Sequence, residues 1–202
     1  MLSKAYRQST KHPQIQKLRN EDPENRLLAY REPRRLSAEE IRDGLLVTTG
    51  ELNREIGGLP IKPEINMEVA LQPRMIQFSL APAYQPSIWP KQRNRRTLYA
   101  YRVRGQPDPF LELFNQPNPN DSCEERVSEA VTPQAFTLLN SDLMNDRAIA
   151  LARRSEKEFD DLHMQVKRVV QLAFGRVPDK QEWDRLEKYV KKMKIHHLEH
   201  KP

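Results

Sequence analysis

The sequence predicts a mainly α-helical chain: about five helices, a C-terminal αα-hairpin, a small β-ribbon and long proline-rich connections. Three observations carry this. Helix-start patterns precede apolar runs of helical spacing, most clearly Ser37-Ala38-Glu39-Glu40 and Asp179-Lys180-Gln181-Glu182, where a capping oxygen is followed three residues later by a carboxylate. Sixteen prolines stand against six glycines in 202 residues, so the connections are stiff rather than flexible. Strict alternation of side chains occurs in one run, Thr97 to Arg104, which suits a strand.

The first eighteen residues are mostly polar, with Tyr6, Ile15 and Leu18 as the only large apolar groups after Leu2, and read as a helix end or an arm. Asp22-Pro23 follows the cap-then-proline rule for a short helix that Pro33 stops. The box at Ser37 opens a helix with Ala38, Ile41, Leu45 and Leu52 on one face and Leu46 beside them, ended by Gly57-Gly58. Residues 59–94 hold five prolines up to Pro86 and no helical period, and read as an irregular excursion with an extended piece near Met75 to Leu80. That piece is the expected ribbon partner of Thr97–Arg104, and a two-strand ribbon needs helices against it.

Pro109 to Phe114 fits one or two helical turns, closed by Pro117 and Pro119, with Asn115, Asn118 and Asn120 as turn residues. Thr132-Pro133 starts a helix whose Ala135, Phe136, Leu138 and Leu139 are apolar nearly all round, which predicts burial. Ser141 re-caps a second helix to about Arg154, with Met144, Ala148, Leu151 and Ala152 inward. Residues 160–195 read as the hairpin: Leu162, Val166, Val169, Val170 and Ala173, a C-cap at Gly175, then Trp183, Leu186, Tyr189, Val190 and Met193. The length predicts one domain, 1–202.

The apolar fraction is 37%, below the ~45–50% of ordinary globular domains, so a thin core is expected. The net charge of +6 equals the six basic residues between Lys91 and Arg104, a segment without acids. Arg95, Arg96, Arg102 and Arg104 are therefore the candidate anion-binding residues, since guanidinium forks suit phosphate and sulfate. The competing reading puts Tyr99 and Tyr101 on an inner face and pairs the arginines with acids such as Asp108 and Glu112. Nucleic acid ranks lowest among the anionic partners. The single cysteine, Cys123, lies beside Glu124 and Glu125. Acidic neighbours do not activate a thiol, so it reads as incidental. His196, His197, Glu199 and His200 resemble a metal tract but sit where chains fray. Glu39, Glu40 and Asp43 share a helix, and Glu40 is explained by its cap. The sequence offers no catalytic triad, phosphate-binding glycine loop, CxxCH haem motif or membrane-length apolar run. No catalytic, cofactor or metal residue is assigned, and the chain reads as soluble without an export signal.

One ordered set of motifs spans nearly the whole chain. It runs Ala5-Tyr6-Arg7-Gln8-Ser9, Asp22 to Leu28, Arg34-Arg35-Leu36 with Glu39 to Asp43, Gly57-Gly58, Arg95-Arg96, Pro109 to Glu112, Pro133-Gln134-Ala135 with Leu138 to Ser141, and Leu172 to Arg176 before Pro178. In this set the chain resembles the C-terminal domain of unknown function of planctomycete-type secreted, cytochrome-c-associated proteins. The resemblance implies the later portion of a larger domain and a periplasmic or extracellular setting. It departs from the pattern at Phe114-Asn115 and Pro117-Asn118, where amides replace acids, and at Ser128 to Thr132, which is poorer in threonine. The resulting expectation is a non-catalytic accessory or interaction domain whose partner is a protein. The alternatives are an anionic-polysaccharide module using the four arginines, and part of an enzyme whose site is shared with an upstream domain.

Overall fold

The computed structural model describes residues 4, 7–71, 75–76, 79–80, 83–126 and 129–199. Ala5, Tyr6, Pro73, Gln77, Phe78, Pro82, Ser128 and His200, used in the expectations above, lie outside the described residues. The chain is mainly helical and divides into two compact units, Met1–Leu36 and Ser37–Pro202.

In the first unit, α1 spans Ile15–Glu21. The expected helix after Asp22 does not form. Asp22 instead accepts the amides of Arg26 (3.0 Å) and Leu27 (2.8 Å) across a turn, and Asn25 and Leu28 take left-handed φ angles of 49° and 51°. Asn25 closes the turn by donating to the Tyr30 carbonyl at 2.7 Å. The carboxylate thus serves amides four and five residues on, which bends the chain where a cap would have started a helix.

The second unit is built on α2, Ala38–Thr49. Ser37 and Glu40 form the expected reciprocal box, at 3.3 and 2.8 Å. The helix stops earlier than the Gly57-Gly58 pair, at Gly50 with φ 78°, which leaves Leu52 outside it. Arg154 then donates to the last-turn carbonyls of Val47 (3.0 Å) and Thr48 (2.7 Å), placing a cation at the negative helix end. The core joins Ala38 of α2 to Phe110, Leu111 and Phe114 around α5 (Pro109–Leu113), with Ile41, Leu45, Leu113 and Leu143 packed on it. Asp108 caps α5 by accepting the Phe110 and Leu111 amides. Asn115 follows in the left-handed region at φ 64°, a conformation asparagine tolerates better than most residues.

The excursion contains α3 (Met67–Ala70), β1 (Met75–Ile76), β2 (Ser79–Leu80) and α4 (Pro90–Arg93). The extended piece pairs with itself: Met75 faces Leu80 and Ile76 faces Ser79, antiparallel. The strand expected over Thr97–Arg104 is absent. Thr97–Tyr99 is a 3-10 turn, and isolated bridges follow, Ile61 with Ala100 and Val103 with Gln106. The alternation there reflects individual side-chain anchors rather than a pleat, as described below.

Helix α6 spans Thr132–Asn140, one residue earlier than a Thr132 cap requires; Val131 holds the cap position and cannot accept a side-chain bond. Its inward residue is Gln134, which donates to the carbonyls of Leu113 (2.8 Å) and Glu129 (3.2 Å). The apolar turn expected inside faces out: Phe136 is 61% and Leu139 74% exposed. Helix α7, Asp142–Glu158, is capped by Ser141 as expected but runs a turn further; Ala148 and Ala152 are exposed, and Ser155 is its buried residue.

Helix α8, Leu162–Phe174, ends at Gly175 with φ 68°, and α9 spans Lys180–Glu199. Asp179 and Glu182 cap each other at 2.8 and 3.1 Å. Hydrogen bonds from Arg176, then from the Asp179 amide, hold the Glu182 carboxyl down to about 2. The turn is the expected one, but the side-by-side arrangement is not. His163 in the first turn of α8 meets Trp183 in the first turn of α9, ring centroids 3.9 Å apart. In a hairpin closed at Gly175, position 163 would face the far end of α9, and helical side chains lean toward their own N-terminus.

Candidate functional site

Helix α2 presents Glu39, Arg42 and Asp43 at spacings that share a face, and all three reach across to segments far away in sequence. Arg42 is buried. It donates to the carbonyls of Arg93 (2.8 Å) and Arg95 (3.1 Å) and to Thr97 Oγ1 (3.1 Å). Thr97 in turn gives its hydroxyl (2.6 Å) and its amide (2.8 Å) to one oxygen of Asp43. Neighbours in sequence, Arg42 and Asp43 thus converge on the same segment. Burial pushes the Arg42 pKa down, while the charges of Asp108 and Asp43 oppose the shift.

Arg95 is the second buried cation. It donates to the carbonyls of Leu59 (3.1 Å), Glu55 (3.2 Å) and Gly57, and its guanidinium lies 4.1 Å from the centre of the Tyr99 ring. The Tyr99 hydroxyl accepts the Gly57 amide at 3.0 Å. Residues 53–61 are therefore zipped to 91–101, with Asn53 and Ile61 adding backbone bonds to Asn94 and Tyr99.

The four candidate arginines do not form one site. Arg95 is consumed by carbonyls, and Arg102 bonds Glu39 at 3.3 Å. Arg96 and Arg104 are exposed. The expected pairing with Asp108 and Glu112 is replaced by pairing with Glu39, which also receives both terminal nitrogens of Arg126 (2.9 and 3.2 Å) and Gln116 (3.3 Å). Burial works to raise the Glu39 pKa, but the Arg126 bonds, its own amide and Gln116 outweigh it and leave the pKa lowered.

Beside this network lies a cavity of about 30 Å³ lined by Tyr84, Tyr101, Gln106, Asp108, Leu111 and Gln116, among others. That volume admits one water and is far below the ~300–1,000 Å³ of small-molecule sites. Tyr84 donates to the Pro63 carbonyl at 2.9 Å, and burial pushes its hydroxyl up, so it keeps its proton. Gln106 donates to the Val69 carbonyl at 2.7 Å, while its buried Oε1 has no hydrogen-bond partner among the described residues.

Burial raises the Asp108 pKa against the Leu111 amide, the Arg42 charge and the Phe110 amide. The folded state thus holds this proton more tightly than the unfolded state does. The associated stability is present below the unfolded pKa and lost as pH rises through the folded one. Asp108→Asn keeps the cap acceptor without the buried charge. It is expected to gain stability relative to the parent between about pH 4 and about pH 7, where carboxyls titrate. Urea unfolding at both pH values checks this; a relative loss over the same interval would show that Arg42 outweighs burial.

Cys123 is exposed, with Sγ 3.1 Å from the Glu125 carbonyl. Among the described residues no group of three His, Cys, Asp or Glu is placed to hold a metal, and the His200 end of the histidine tract lies outside them. No helix among the described residues is long and apolar enough to cross a membrane. Sequence reading missed Arg42, whose signal was a cation on the apolar face shared by Ala38, Ile41, Leu45 and Leu46.

A family model for PSD1, a protein of unknown function (DUF1553), matches residues 1–190. The chain belongs to the PSD1 family. This agrees with the ordered motifs, which point to a domain of unknown function found in planctomycete-type proteins. No curated protein and no solved structure matches the chain. For this PSD1 member the structural role of Arg42, Arg95 and Glu39 is thus read from geometry alone.

Proposed function

We propose that this PSD1 chain is an interaction domain of a periplasmic or extracellular protein and that helix α6 carries its protein-binding face. The observation behind this is the outward placement of Phe136 and Leu139 on a helix whose inner side is fixed by Gln134. Gln134 bonds two carbonyls from different segments, so the helix cannot roll to bury its apolar side without breaking them. Exposed aromatic and aliphatic groups on a fixed helix are the usual anchors of a protein interface.

Two measurements test this. Phe136→Ser with Leu139→Ser is expected to cost no more than about 1 kcal/mol in total, the scale of surface changes, whereas a buried Phe alone would cost about 3–5 kcal/mol. A photo-crosslinking residue at 136 is expected to capture a discrete protein adduct in the cells that make the protein. The adduct should vanish with Leu139→Asp and be absent with the crosslinker at exposed Lys157. Equal labelling from both positions would contradict the reading.

A second reading, an anionic-polysaccharide module, keeps two of its four residues: Arg96 and Arg104 are exposed and supply separate charges, while Arg95 is committed to the fold.

A further inference from the structure

Buried Arg95 fixes the base of a loop whose tip is apolar and almost fully exposed. Ile56 and Leu59 are 83% and 85% exposed, and the glycines between them both have φ 81°, a turn that side-chain-bearing residues would strain. Leu98, on the 3-10 turn that Arg95 and Thr97 anchor, is likewise exposed. So is Trp89, which enters α4 beside carbonyls held by Arg93 at 2.8 and 3.0 Å. Asn53 ties these pieces together, donating to the Lys91 carbonyl at 3.0 Å. The exposed charges on residues 53–59 and 87–98 are Arg54, Lys91 and Arg96 against Glu55.

We infer that the exposed side chains of Ile56, Leu59, Trp89 and Leu98, with Arg54, Lys91 and Arg96 beside them in sequence, dock on an anionic lipid surface. This site is separate from the α6 face. Three features select lipid. The apolar groups stand well out into solvent, from 65% exposed at Trp89 to 85% at Leu59, so they suit insertion into a soft interface. Tryptophan beside aliphatic residues matches the headgroup boundary. The surrounding charge is basic by three to one, which complements acidic headgroups. The aliphatic tips have no counterpart in the recognition of an anionic sugar, which would use the arginines alone. The stiff base, three carbonyls gathered by one guanidinium, lets the tip enter without losing its shape.

The test is binding of the intact chain to phosphatidylcholine vesicles with and without phosphatidylglycerol. Binding is expected only with the anionic lipid. Ile56→Ser with Leu59→Ser is expected to weaken it about tenfold or more, from the apolar area withdrawn from lipid. Lys91→Glu with Arg96→Glu is expected to weaken it by about tenfold or more through the headgroup attraction. All four side chains are exposed, so far-ultraviolet dichroism and the urea midpoint should not move. Phe136→Ser with Leu139→Ser should bind as the parent does, which separates this site from the protein-binding face. In a Trp183→Phe background, the remaining tryptophan, Trp89, should be quenched by bromine-labelled lipid. Equal binding to neutral vesicles, full binding by the Ile56/Leu59 variant, or binding to dextran sulfate with none to vesicles would each overturn the inference. The last outcome would assign the basic residues to a polysaccharide.

Discussion

Arg42→Met is expected to lower unfolding free energy by about 3–5 kcal/mol, the cost of removing one member of a buried charged network. Methionine fills much of the volume of the arginine stem, so the loss is chemical rather than steric. The carbonyls of Arg93 and Arg95 and the Thr97 hydroxyl each lose their donor. Asp43 and Asp108 lose the cation that offsets their charge. Urea unfolding measures the effect. Arg42→Lys should fall between the two, since it keeps the charge but not the fork that spans two carbonyls and a hydroxyl. A loss under about 1 kcal/mol for the methionine variant would place the network at the solvent-exposed end of ion-pair energies.

Arg95→Ala is expected to act more locally. Three carbonyls on the 55–59 loop lose a charged donor at once, and hydrogen bonds to charged groups contribute about 1.5–3 kcal/mol each in favourable cases. The loop can rehydrate its carbonyls on opening, so the global loss should stop near 2–3 kcal/mol, the scale of one such bond. The local effect should be the larger one. Thermolysin is expected to cleave before Ile56 or Leu59 in the variant under conditions where the parent stays whole. An uncut variant would mean that the Asn53 and Ile61 backbone bonds hold the loop without the guanidinium.

These two substitutions explain what was readable in the sequence and what was not. The caps at Ser37, Ser141 and Asp179 and the stop at Gly175 were legible because each is satisfied within a few residues. The short helix after Asp108 was legible for the same reason. The run Thr97 to Arg104 was not, because its alternation has separate long-range causes. Thr97 turns in to Asp43, the Tyr99 hydroxyl accepts the Gly57 amide, and Ala100 bridges to Ile61, each with a partner more than thirty positions away. Local alternation cannot distinguish that from a pleat. Asp22 misled because one carboxylate can cap a helix or close a turn, and Asn25 in the left-handed region decides for the turn. Helix α6 misled differently. Its apolar composition predicts burial, yet the inner position is taken by Gln134, whose amide serves carbonyls on two segments. The basic segment stands out by charge, but two of its arginines, Arg95 and Arg102, face inward or pair with Glu39. Their partners are mostly backbone carbonyls, which composition does not reveal.

The central claim is that Arg42 and Arg95 make residues 53–61 and 91–101 as well fixed as helix α2. Amide hydrogen exchange tests this most directly, at Ile61, whose amide donates to the Tyr99 carbonyl at 2.8 Å, and at Tyr101, which donates to the Ile61 carbonyl at 2.7 Å. The account predicts protection of both within about tenfold of the central α2 amides, as for members of one cooperative unit, and its loss in Arg95→Ala while α2 stays protected. Exchange of Ile61 and Tyr101 at open-loop rates in the parent, with α2 still protected, would contradict it.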